Sequence, residues 1–147
     1  LHTLDLLIYL MGEPDYLTAS CSNLTLQDCI EVEDTATILC SGKANFSLFA
    51  TNGGNTDLPI FLIIKTQDSL LEISSKEVRV DRIRMDASNF EASYGKSCYG
   101  VGHKALFMDF YSCVENNKKF AIDANEALKV IKVILSAYKS NGKKIKI

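Results

Sequence analysis

Between Asp15 and Ile83 the chain falls into short apolar or alternating runs separated by polar turns, and no other feature limits its fold more. "YLTASC" mixes β-branched and aromatic residues. "TATILCS", Gly42-Lys43 and "ANFSLFAT" read as a hairpin with Phe46, Leu48 and Ala50 on one face. "LPIFLIIK" is a continuous apolar run of strand length, and "LLEIS" and "EVRVDRI" follow after turns at "TQDS" and "SSK". In the last run Val78 and Val80 alternate with Glu77, Arg79 and Asp81, as in a strand with one wet face. The stretch as a whole predicts about five or six strands.

Helical periods flank this block. Leu4, Leu7, Ile8 and Met11 recur at helical spacing over residues 2–11, with Leu6 and Leu10 widening the stripe and Asp5 and Tyr9 leaving a narrow polar edge. So apolar a helix is expected to be buried on most sides. Gly12 can close it and Pro14 forbids its continuation. Near the other end, "HKALFMDFYSCVENN" aligns His103, Leu106, Phe107, Phe110 and Val114. The final helix opens with a capping box, Asp123 followed by Glu126, and sets a polar stripe of Lys129, Lys132, Ser136 and Lys139 opposite Ile131, Ile134, Leu135 and Tyr138, which are expected core positions. Gly142 ends it, and "KKIKI" can add an edge strand.

A run of strands between helices argues an α+β fold, a two-layer α/β arrangement: an open, mainly antiparallel sheet with helices packed on one face. "PIFLII" and "SLF" nevertheless put apolar side chains on both faces, with Phe61 and Ile63 pointing opposite to Ile60, Leu62 and Ile64. That second face needs cover. A symmetric homodimer through the sheet face would supply it, as would loops such as "TNGGNTD" folded over it.

At 147 residues the chain has the length of one domain, and no internal repeat, low-complexity segment or linker divides it. A net charge of −2 and a pI near 5.7 argue against nucleic acid or an anionic membrane as main partner. No apolar run approaches the roughly 20 residues a membrane-spanning helix needs. Five cysteines, Cys21, Cys29, Cys40, Cys98 and Cys113, form no C-x-x-C pair and have no metal-type spacing, which suits a reducing, cytoplasmic setting and no metal site. There the N-x-S/T tripeptides at Asn23 and Asn45 carry no meaning.

His2 and His103 are the two side chains that titrate near neutral pH without perturbation. A lone histidine leading a helix is more often structural than catalytic. His2 stands out because Asp5, at i+3 on the same helix side, could orient an imidazole or bind a hydroxyl. Glu33-Asp34 read as turn carboxylates and Gly53-Gly54 as a flexible hairpin end. Spacing alone therefore supports an α+β domain with a candidate histidine site.

Three segments go further. "HTLDLLIYLMGEPDYLTA" resembles the H-x-x-D-x-x-x-x-L-x-G-E-P stretch of the glucose–fructose oxidoreductase / inositol dehydrogenase / rhizopine-catabolism (Gfo/Idh/MocA) family. "VEDTATILC" looks like that family's E-D-T-A strand. "YGVGHKALFMDFYSCVENNKKFAIDANEALKVIKVILSAYKSNGKKI" is similar to its closing pattern, G-x-x-H-x-x-x-x-x-D-F, a D-x-x-E-A helix and Y-x-S-x-x-x-G-K-x-I. Each is loose. Their shared order across nearly all of residues 2–147 is more specific.

The resemblance implies a two-domain NAD(P)-dependent oxidoreductase acting on a sugar, cyclitol or related polyol, with residues 1–147 as its single C-terminal substrate-binding and dimerisation domain. The N-terminal Rossmann domain is expected upstream: the helix at residue 2 has no cap ahead of it, and neither a strand–G-x-G-x-x-G–helix unit nor E-K-P occurs. Of the family's D-x-x-x-H signature, only His2 is present. By resemblance His2 would be catalytic and contact the reacting hydroxyl, and Asp5 and His103 would join it in binding substrate. No residue of this chain would hold NAD or NADP, no cofactor is expected on the fragment, and the fragment alone would be inactive. A non-catalytic ligand-sensing or partner-binding module of the same family is the alternative.

Overall fold

Strand β1 (Tyr16–Ser22) is the axis about which the first part of the chain is built. It pairs antiparallel with β2 (Thr35–Ser41) on one side and β8 (Ile145–Lys146) on the other, and β2 pairs with β3 (Phe46–Thr51). The resulting order is β3-β2-β1-β8. The structure, a computed structural model, describes residues 1–43, 45–54, 60–74, 77–85 and 102–147. Cys98, the "SSK" turn, the start of "LPIFLIIK", the "NTD" of the loop after β3 and the "YGV" ahead of Gly102 lie wholly or partly outside those residues.

Alternation along these strands assigns one face to the core. The register stacks Leu17 against Cys40 and Ile145, Ala19 against Ile38, and these in turn against Phe46 and Leu48 of β3. Helix α1 (His2–Met11) adds Leu4 and Ile8, and α3 (Ala124–Ser140) adds Val130, Val133 and Ala137, closing one cluster. The opposite face carries Thr18, Ser20, Thr37 and Ser47, together with Leu39 and Phe49 at 55% and 62% exposure. Helices therefore cover one face of this sheet, as the element order predicts.

Both helices depart from the expected burial. In α1 the core takes Leu4, Leu7 and Ile8, while Leu6, Tyr9 and Leu10 are exposed: one side is buried, not most. In α3 the buried stripe is Val130, Val133, Ala137 and Ser140, with Ile134 at its margin, whereas Ile131, Leu135 and Tyr138 face outward. Small residues let the helix approach Ala19 closely, and burial follows that approach more than side-chain size.

The ends are as the chain chemistry requires. Gly12 takes a φ of 86° and its N–H closes α1 on the Ile8 carbonyl at 2.8 Å. Asp123 caps α3, accepting from the N–H groups of Asn125 and Glu126. Asn141, ahead of the anticipated Gly142, takes the left-handed cap, and Gly142 follows with φ 77°. Beyond two-residue β8 the free edge of β1 is closed by this helix end: Ala19 N–H donates to Ser140 Oγ at 2.8 Å, and Gly142 N–H donates to the Ala19 carbonyl at 2.7 Å.

The described residues fall into two compact units, Leu1–Leu58 with Ile122–Ile147, and Pro59–Ala121. The second holds β4 (Phe61–Lys65), β5 (Leu70–Ser74), β6 (Val78–Val80), β7 (Ile83–Met85) and α2 (Gly102–Glu115). Its sheet is antiparallel in the order β4-β5-β6-β7. Two cross-strand ladders, Leu62–Ile73–Val78–Met85 and Ile64–Leu71–Val80–Ile83, make one face wholly apolar. The other face mixes Phe61 and Ile63 with Glu72, Arg79 and Arg84, and Glu77 pairs with Arg79 at 2.6 Å and Arg84 at 3.0 Å. Phe61 and Ile63 thus point opposite to Leu62 and Ile64, as the alternation requires.

"EVRVDRI" forms two short strands, not one, because Asp81 adopts φ 57° and turns the chain between β6 and β7. Its carboxylate accepts from the N–H of Leu70 at 2.8 Å and from the Ser69 hydroxyl at 3.1 Å, which secures the reversal. In α2, Leu106, Phe107, Phe110 and Val114 share a face as expected, but the helix has no buried residue.

Candidate functional site

His2 is the first residue of α1, one turn ahead of Asp5, and both side chains are exposed. Leu1 supplies no side-chain cap, so N–H groups of the first turn stay available, and Asp5 is the acidic residue that complements them. Burial of Leu4, Leu7 and Ile8 fixes the helix against the core and turns His2 and Asp5 away from it. Among the described residues no hydrogen bond joins the pair. The imidazole can take a proton from a donor that approaches from outside, and the carboxylate can accept a hydroxyl hydrogen bond.

His103 lies elsewhere. It stands in the first turn of α2, in the second unit, and lines an open cavity of about 670 Å³ with Lys104, Phe107, Met108, Tyr111, Ser112 and Glu115. That surface combines two aromatic faces with cationic, hydroxyl and carboxylate groups along one helix side. His2 and Asp5 thus share a helix, and His103 belongs to a different unit.

Among the described residues the most strongly perturbed acid is Asp34, whose place ahead of a strand suggests an ordinary turn carboxylate. Asp34 is 3% exposed, and its carboxylate accepts from the N–H groups of Leu24, Thr25 and Leu26 and from the Thr25 hydroxyl, at 2.6 to 3.1 Å. These donors, the Leu24 N–H foremost, hold its carboxyl well below the usual carboxylate range. It ties the long loop between β1 and β2 onto itself, which is a structural task. The signal was present in "VEDTA": a polar loop of that length needs an internal acceptor, and the aspartate at its end is one.

Beside it, Glu33 accepts a hydrogen bond from the Tyr138 hydroxyl, and that bond raises the phenol's pKa. Burial, then Glu33, raises the Cys21 thiol, and burial pushes Cys40 up to about 11. Among the described residues no group of acids, histidines and cysteines could hold a metal ion, and no helix is long and apolar enough to cross a membrane.

No family model and no curated protein matches the chain. Solved structures do. An oxidoreductase from Agrobacterium radiobacter in complex with NAD+, L-tartaric acid and magnesium matches 99% of this chain and 46% of its own length, at TM-score 0.82 and 19% identity. The aldose-aldose oxidoreductase from Caulobacter crescentus complexed with glycerol matches 99% of this chain and 45% of its own, at TM-score 0.77 and 18% identity. The WlbA dehydrogenase from Chromobacterium violaceum in complex with NADH and UDP-GlcNAcA matches 99% and 44%, at TM-score 0.75 and 19% identity. The chain spans less than half the length of these proteins, and across nearly all of its own length it shares the fold of that part of oxidoreductases and dehydrogenases.

Proposed function

We propose that this chain is the substrate-binding and dimerisation domain of an NAD(P)-dependent oxidoreductase of the Gfo/Idh/MocA type, acting on a sugar, cyclitol or related polyol. The observation that carries the reading is the fold likeness over 99% of the chain to 46% of an oxidoreductase in complex with NAD+. His2 supports it by facing outward from a helix whose other side is anchored in the core.

In this reading the chain's part in catalysis is proton handling and substrate positioning. A nicotinamide held by a Rossmann domain of the parent would supply the hydride acceptor for the carbinol carbon. His2 accepts the hydroxyl proton as the C–O bond becomes a carbonyl, and Asp5 orients the ring or binds a neighbouring hydroxyl. His103 binds substrate from α2. No residue of this chain is assigned to the dinucleotide, and the chain by itself is expected to be inactive.

The test is a dehydrogenase assay on the full-length protein with a panel of polyols and aldoses and both dinucleotides. Replacing His2 by Ala is expected to lower kcat by about 10²–10⁴-fold without loss of dinucleotide binding. A full-length protein that binds neither NAD nor NADP overturns the oxidoreductase reading. Dinucleotide binding with an unchanged kcat in His2→Ala overturns the role of His2 alone.

A further inference from the structure

We propose that Asn52–Gly53 is a site of spontaneous deamidation in the folded protein, and that the fold shields the chain's other Asn–Gly pair, Asn141–Gly142, from the same reaction. In both pairs the chemistry is open to attack on sequence grounds, because glycine puts no side chain beside the reacting nitrogen. The glycine amide loses its proton and its nitrogen bonds to the asparagine Cγ. The Cγ–Nδ2 bond breaks, ammonia leaves, and water opens the succinimide to aspartate or isoaspartate. What differs between the pairs is the hold on the glycine N–H.

Gly142 N–H donates to the Ala19 carbonyl at 2.7 Å, across from the bond between Ala19 N–H and Ser140 Oγ. Ala19 is 2% exposed and Ser140 1%, so freeing that N–H means lifting the end of α3 off β1. The backbone adds a second obstacle. With ψ at 50° in Asn141, the Gly142 nitrogen lies on the far side of the Cα–C bond from Cβ, where it cannot reach Cγ.

Gly53 N–H is held only locally. It donates at 3.0 Å to the hydroxyl of Thr51, two residues back, and that hydroxyl is itself shared with Thr35 at 2.9 Å. Rotation of the Thr51 side chain about its Cα–Cβ bond frees it, and Asn52 is exposed. The product would matter to the fold. Asn52 N–H donates to the Asp34 carbonyl at 2.7 Å, so an isoaspartate here puts an extra backbone carbon and a negative charge against the Asp34 knot.

The test is peptide mapping by mass spectrometry after incubating the intact chain at mildly alkaline pH, in buffer and in urea. In buffer, residue 52 is expected to convert faster than residue 141, and conversion at 141 is expected to be at least about tenfold slower than in urea. Ser140→Ala, which loosens the end of α3, is expected to speed conversion at 141 and leave 52 unchanged. Equal rates at 141 in buffer and urea, conversion at 52 no faster than at 141 in buffer, or an unmoved rate at 141 in Ser140→Ala would each overturn the proposal.

Discussion

Two buried polar side chains hold this chain's backbone where regular structure ends. Ser140 Oγ accepts from Ala19 N–H and donates to the Lys143 carbonyl at 2.6 Å, so one hydroxyl satisfies groups on β1 and on the turn beyond α3. Ser140→Ala leaves the N–H of Ala19, a 2% exposed residue, without this acceptor, and an unsatisfied buried group costs about 1–3 kcal/mol, to be read from urea unfolding. Asp34 acts through its charge. Its folded-state pKa lies below that of the unfolded chain, so its contribution is complete above the unfolded value of about 3.9 and is lost as pH falls below that toward the folded value. Thermal midpoints taken from neutral to acid pH should show Asp34→Asn less stable at neutral pH, with the gap to the parent narrowing as acid protonates Asp34. A constant gap would mean the carboxylate's charge is not what the loop uses.

At the scale of elements, α3 separates two stripes that helical spacing alone does not rank. Val130, Val133 and Ala137 lie on one, Ile131, Leu135 and Tyr138 on another, and both recur at intervals of three and four. Val133 at 1% exposure should lose about 2 kcal/mol on truncation to Ala, from two buried carbons and the cavity left behind. Leu135, at 54%, should change stability by no more than about 0.5 kcal/mol in the Leu135→Ala variant. Chemical denaturation of the two variants decides between the stripes. Legibility followed the same line. Period-two runs, Gly12 at the end of α1, the Asp123 cap and the β8 edge strand are local chemistry and could be read directly. The rotation of α3, the break at Asp81 and the burial of Asp34 depend on what a distant segment offers, and spacing carries no record of that. His2 was legible as an exposed helix-leading histidine beside a carboxylate, whereas the separate unit holding His103 was not.

For the molecule as a whole, the sheets present more apolar surface than the helices cover. Leu39 and Phe49 face away from the core of the first unit. In the second, Phe61 and Ile63, at 54% and 55% exposure, lie on the sheet face opposite Leu62. Exposed apolar side chains grouped on a sheet mark an interaction surface, and a second copy of the chain covers such a face at the lowest cost in new chemistry. The proposed homodimer therefore predicts a mass of two chains in sedimentation velocity. Phe61→Asp with Ile63→Asp should give a monomer, because a charge on each outward position must then be desolvated in the interface. Thermal unfolding extrapolated to low protein concentration should show little change in that variant, since both side chains are already half in water. A wild-type chain that sediments as a monomer at all concentrations would remove the dimer from the reading, and would leave the fold and the proposal for His2 untouched.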